Sequence, residues 1–310
     1  MTTTGTNTFN LDMNDLIEEA FERCGLEVRS GYDFRTARRS LNLLTIEWAN
    51  RGINLWTVEQ GQFVMNTGQA IYPIPIDTVD LLDTVVRTNN GQANNQVDIN
   101  ISRISEPTYL TIPNKNATGR PIQVWFNRQS GNVATIPQAA LNGAITATDT
   151  TITLVNATGL TTQGVMNIDN ETMGYQNIIG NQNITAWRGQ NGTKAASHLT
   201  AAEVYTNNLP CVNVWPTPNP PGDQYTFVYY RMRRIQDAGT GIRTQDIPFR
   251  FIPCMTAGLA YQLSNKMPGV TSERVMMLKA DYEQQWQLAA DEDRETAAIR
   301  IVPRNTFYYS

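Results

Sequence analysis

The spacing of apolar residues changes period twice along this chain. Between Asp12 and Cys24 the positions Leu16, Ile17, Ala20, Phe21 and Cys24 recur at three- and four-residue intervals, which predicts one helix, with Asn10 or Asp12 as cap and Gly25 as stop. A second helix is predicted over 33–50, where Phe34, Ala37, Leu41, Leu44 and Trp48 form a continuous stripe and Gly52 ends it. A short Gly-containing turn between them predicts an antiparallel αα-hairpin. From Gln62 the period becomes two. Strands are predicted at 62–65, 83–87, 98–101 and 122–128, separated by turn residues such as Asn90-Gly91 and Thr118-Gly119. After residue 207 the segments 211–215 and 225–233 read as a hairpin around a proline-rich loop. Helical period then returns over 248–265 and 271–291, with Val275, Leu278, Tyr282, Trp286 and Ala289 on one face of the last helix.

Charge follows the same boundaries. Residues 12–51 hold 14 charged side chains and residues 272–300 hold 11, whereas residues 131–207 hold only six in 77: Asp149, Asp169, Glu171, Arg188, Lys194 and Glu203. That stretch is Thr, Asn, Gly and Ala with alternating aliphatics, the composition of short strands and tight turns. It reads as a small all-β module, sandwich or barrel-like, inserted into a host. The predicted division is a host over 1–130, the module over 131–207, the rest of the host over 208–293 and a C-terminal docking arm over 294–310. The predicted fold class is α+β: an antiparallel helical bundle from both chain ends, a central β region and the inserted module.

Candidate chemistry is sparse. His198 is the single histidine, which removes His-based zinc motifs and most acid–base relays, so it reads as a surface or satisfied turn residue. Glu18, Glu19 and Glu22 lie beside Arg23 on a predicted solvent-facing helix side. The Gly239-Thr-Gly241 turn lacks the third glycine of a phosphate loop. Arg231, Arg233 and Arg234 are the one concentrated basic stretch, with Arg231 and Arg233 on one strand face, a candidate contact for an acidic partner surface or phosphate. Phe307, Tyr308 and Tyr309, with Arg304, are candidate docking residues, since aromatic anchors dominate interface hot spots. Cys24, Cys211 and Cys254 are odd in number and far apart, so no disulfide framework is expected. No metal or cofactor is expected. No run approaches a membrane span, and the polar start carries no signal-peptide core. A formal net charge of −4 argues against broad phosphate binding.

The order of several short segments resembles a known family. These are 16–25 (LIEEAFERCG), 37–56 (ARRSLNLLTIEWANRGINLW), 72–75 (YPIP) leading to 80–87 (DLLDTVVR), then 125–129 (WFNRQ), 214–218 (VWPTP) and 225–234. Together they resemble the head-to-tail connector adaptors of short-tailed bacteriophages, akin to their tail tubular A and packaged-DNA-stabilising proteins. The segments 147–160 and 187–193 resemble a β module that recurs in phage virion proteins. The resemblance implies a structural, non-enzymatic virion protein of the tail or neck, assembled in the bacterial cytoplasm. It implies a ring of twelve copies under the portal ring, contacting the tail nozzle protein and further copies of itself, with tail fibre proteins as additional partners of the module. DNA would pass through the lumen without specific binding. The competing expectation is a virion-associated glycan-binding or peptidoglycan-cleaving protein that uses the β module for recognition.

Overall fold

The computed structural model describes residues 3–52, 55–129, 131, 133–219 and 225–294. Its helices are α1 (Met13–Cys24), α2 (Gly31–Arg51), the short α3 (Glu106–Leu110), α4 (Ile252–Ser264) and α5 (Ser272–Glu292). The chain divides into two compact units, one made of residues 1–57 with 235–310 and the other of residues 58–234.

In the first unit the helix ends are set locally. The Asp12 side chain accepts from the Asn14 and Asp15 amides to start α1, and Gly25 at φ 75° closes it. Ser30 and Asp33 form a reciprocal capping box at the start of α2. The apolar stripes of α1, α2 and α5 converge on α4, which is apolar on most of its circumference and is the innermost helix. Gly258 of α4 is where the packing is closest: a Cβ there would lie 2.8 Å from the Tyr282 ring and 2.9 Å from Leu44. Trp48, fully buried, donates through Nε1 to the Tyr282 hydroxyl at 3.2 Å, which in turn donates to Glu47 at 3.0 Å.

The second unit is β throughout apart from α3. One antiparallel sheet has the order Val58–Val64, Tyr225–Arg233, Thr78–Thr88, Val97–Asn100. Another has the order Ile71–Pro73, Cys211–Trp215, Gln123–Asn127, Ser102–Ile104, with only its last pair parallel. These two share a core that includes Tyr72, Leu81, Val86, Phe126, Val212, Val214 and Phe227. A third sheet of six strands, drawn from residues 139–206, has its own core around Leu141, Ile152, Met166, Ile168, Met173 and Val204. Its edge strands, Ala139–Ala140 and Thr151–Thr153, are tied together by a bridge between Leu141 and Leu154, so the sheet curls round that core. A two-stranded parallel ribbon pairs Thr217–Pro218 with Thr118–Gly119.

Two expectations are corrected. The α+β fold class, framed by an antiparallel helical bundle from both chain ends, does not describe this chain. Among the described residues there are sixteen strands in four sheets and only five α-helices. Helical period is confined to the chain's ends, whereas residues 58–234 are punctuated by turns at strand spacing, and that longer stretch decides the class. Nor do Cys211–Trp215 and Tyr225–Arg233 pair as a hairpin. They lie in different sheets, because alternate residues of each, Val212 and Val214 on one and Phe227 and Tyr229 on the other, pack into one core from opposite walls, and strand partners are chosen by that packing.

Asn127 and Cys211 are direct cross-strand partners, so the chain leaves and re-enters this sheet at neighbouring points roughly 4.5–5.5 Å apart. Replacing residues 131–207 with a short Gly/Ser bridge is therefore expected to leave a soluble, folded remainder of lower stability. Retained helical circular dichroism in a monodisperse sample checks this, and aggregation of the remainder counts against a separable module.

Candidate functional site

The candidate side chains of the sequence fall in three places. Arg231 is buried, and its guanidinium bonds Glu59 at 2.9 Å, Asp77, and the Thr78 hydroxyl at 3.1 Å. Arg233 reaches the same Glu59 carboxylate, while Arg234 is exposed and gives its main-chain N–H to the Asp77 carbonyl at 2.8 Å. The structure thus sets Arg231 and Arg233 on the chain's own carboxylates at one end of a strand. The docking residues Arg304, Phe307, Tyr308 and Tyr309 lie outside the described residues, as does the arm beyond Arg294. On α1, Glu18 and Glu22 are exposed and Glu19 pairs with Arg23 at 2.9 Å.

His198 is not a surface residue. It is 4% exposed, and its Nδ1 lies 2.7 Å from Asp169 and its Nε2 2.9 Å from Glu171. Glu171, 1% exposed, is the centre of the cluster. It takes both Nε (2.9 Å) and a terminal nitrogen (2.8 Å) of Arg188, together with the amides of Gly189 (2.8 Å) and Ala196 (3.0 Å). Arg188 spends its remaining donors on the Thr146, Asp149 and Ala196 carbonyls. Burial alone would raise the Glu171 carboxyl, but Arg188, the Ala196 amide, His198 and the Gly189 amide outweigh it and hold it at about 2. Every polar atom of the carboxylate is taken up by the loop it anchors, so this cluster locks the segment 188–198 onto the strand Glu171–Ile179. The sequence carried a signal for it: three of the module's six charged residues meet here, where charge is otherwise nearly absent.

A second charged group lies on the surface of the β unit. Asp80 bridges Arg103 at 2.7 Å and Arg128 at 2.6 Å, and both guanidiniums stand over the Phe126 ring at 5.9 and 5.8 Å. This shelf continues past Trp125, which packs on Tyr109. Sequence reading passed over it because its members come from three separate strands and from α3.

The helical unit has a different surface. Leu43 and Ile46 on α2, and Met276, Met277 and Leu288 on α5, are each more than half exposed although the opposite faces of the same helices are packed. Among the described residues no cluster of three or more His, Cys, Asp or Glu side chains has the geometry to hold a metal ion. No helix among them is long and apolar enough to cross a membrane. No protein-family model matches the sequence, and no curated protein sequence matches it.

Proposed function

We propose that this chain is a structural adaptor of the head-to-tail connector type, assembling as a ring of copies beneath a portal ring and presenting a platform to the tail nozzle. The observation that carries the reading is the set of outward apolar side chains on α2 and α5. Five large apolar residues stand outward on these two helices, side chains that contact with a neighbouring copy would remove from water. The ordered segments that resemble the adaptor family lie largely on α1, on α2 and on the strands of the two four-stranded sheets. The net charge of −4 suits a conduit, because strong phosphate binding would hold DNA in place.

The test is assembly on the cognate portal ring, viewed by negative stain and weighed by native mass spectrometry. Wild-type protein is expected to add a ring of copies to the portal. Leu43→Lys with Met277→Lys, both at exposed positions, is expected to keep the wild-type circular dichroism spectrum and lose ring addition. A double variant that still forms the ring sinks the proposed contact, and a wild-type chain that ignores the portal sinks the adaptor reading.

A further inference from the structure

The strand Cys211–Trp215 turns Val212 and Val214 into the sandwich core, so Cys211 and Asn213 point to the opposite face of the sheet. Register sets Ile71 beside Asn213 and Asn127 beside Cys211 on that face. Across from them lie residues of the curled module: Gln163 and Val165 of one strand, Tyr175 of the next, and Thr161 and Gln138 from loops. Between the two walls is a cleft of about 420 Å³, within the range of roughly 300–1,000 Å³ common for small-molecule sites.

Two properties of this cleft point to a ligand. The first is its chemistry. Amide side chains come from both walls, Asn127, Gln129 and Asn213 on one and Gln138, Gln163 and Asn207 on the other, and among the described residues none that lines the cleft is charged. The hydroxyls of Thr161 and Tyr175 bond each other at 3.0 Å at its edge, and the Tyr175 ring lies against Gly164, where a Cβ would come within 3.1 Å of the tyrosine oxygen. The second is an unpaired group. Asn213 is 4% exposed, lines the cleft, and its Nδ2 has no hydrogen-bond partner among the described residues. The amide lies close enough to favour the Cys211 thiolate, against the larger effect of burial that pushes that thiol up to about 12, yet no hydrogen bond of normal geometry reaches the sulfur. Leaving a buried amide unpaired costs folding free energy, and an acceptor carried by a ligand removes that cost.

We propose that this cleft between the curled module and the small sheet is a binding site for a neutral carbohydrate. Sugar hydroxyls both donate and accept, as amide side chains do, so an amide-lined wall can pair with each of them. Phosphates and carboxylates would enter without a cation to pair with, and amines or metal ions would enter without a carboxylate, so charged ligands lose on desolvation. The site stands on its own walls and does not depend on the adaptor reading.

The test uses the full chain, with N,N′-diacetylchitobiose and maltotriose as neutral probes and glucose 6-phosphate as the charged control, followed by saturation-transfer NMR and calorimetry. At least one neutral probe is expected to bind with a Kd of about 1 mM or tighter, and the phosphate at least about tenfold more weakly. Asn213→Leu removes the unpaired amide at similar volume. It is expected to weaken the neutral probe at least about tenfold while melting no lower than wild type, an outcome that a purely structural asparagine would not give. Gln163→Ala, at a half-buried position, is expected to weaken binding with the fold intact and serves if Asn213→Leu does not fold. The proposal is overturned if neither neutral probe binds at about 10 mM, if the phosphate binds as tightly, or if the folded variants bind as wild type does.

Discussion

Replacing Glu171 with alanine is expected to lower the stability of the six-stranded module by about 3–5 kcal/mol, the cost of removing one partner from a buried ion pair. Arg188, whose side chain is 7% exposed, would keep its charge and lose its carboxylate, and the Gly189 and Ala196 amides would lose their acceptor. Native-state hydrogen exchange of the amides in strands 163–168, 171–179 and 183–187 reads the loss within the module itself. The same carboxylate makes the module acid-sensitive. Its folded value of about 2 lies below the ordinary value of 4.5, so the stabilisation is fully present above pH 4.5 and fades as pH falls toward about 2. The difference corresponds to about 3 kcal/mol. Wild-type stability should therefore drop steeply through that window, whereas Glu171→Ala, already lacking the group, should show a flatter profile. Parallel acid-unfolding curves for the two proteins would falsify the assignment.

Trp48→Ala is expected to cost the helical unit about 3–5 kcal/mol, the range for removing a large buried aromatic. Trp48 is fully buried, tilts against Phe251 with ring centroids 6.2 Å apart, and holds the Tyr282 hydroxyl. Tyr282 is itself 1% exposed and packs on Gly258, so the cavity opens beside the closest contact between α4 and its neighbours. The surroundings have little room to collapse into it, which places the effect toward the upper end. Trp48→Phe keeps most of the apolar contact but removes the donor to Tyr282, and about 1–2 kcal/mol is expected. Leu43→Ala on the exposed side of the same helix is the control, expected within about 0.5 kcal/mol of wild type. Equal melting of the Trp48→Ala and Leu43→Ala proteins would mean that α2 does not bury the stripe described here.

Much of the local structure was legible in the chain. The stripe Ala37, Leu41, Leu44, Trp48 is the buried face of α2, and the strands at 211–215 and 225–233 have the expected bounds. These are properties of neighbouring residues, which period and capping report directly. Pairing was not legible. Val212 and Val214 alternate as any strand would, and nothing near them states that their partners are Ile71–Pro73 and Gln123–Asn127. The charge-rich ends also drew weight toward helices, although the turn-punctuated stretch between them is longer and sets the fold class.

The candidate sites divide in the same way. The composition of residues 131–207 by itself determined a β module poor in charge, because short alternating runs and turn residues are local signals. Only the tertiary structure decided that Glu171, Arg188 and His198 spend that scarce charge on one another inside the module. Asn127 and Asn213 fall inside the predicted strands 122–128 and 211–215 and Gln163 inside the predicted module, with nothing local that relates the three amides. They become walls of one cleft because register turns alternate residues of one sheet toward a strand of another. Local sequence specifies which way a side chain faces along its own strand. What stands opposite it is settled by burial summed over the whole unit, and no window of the chain contains that sum.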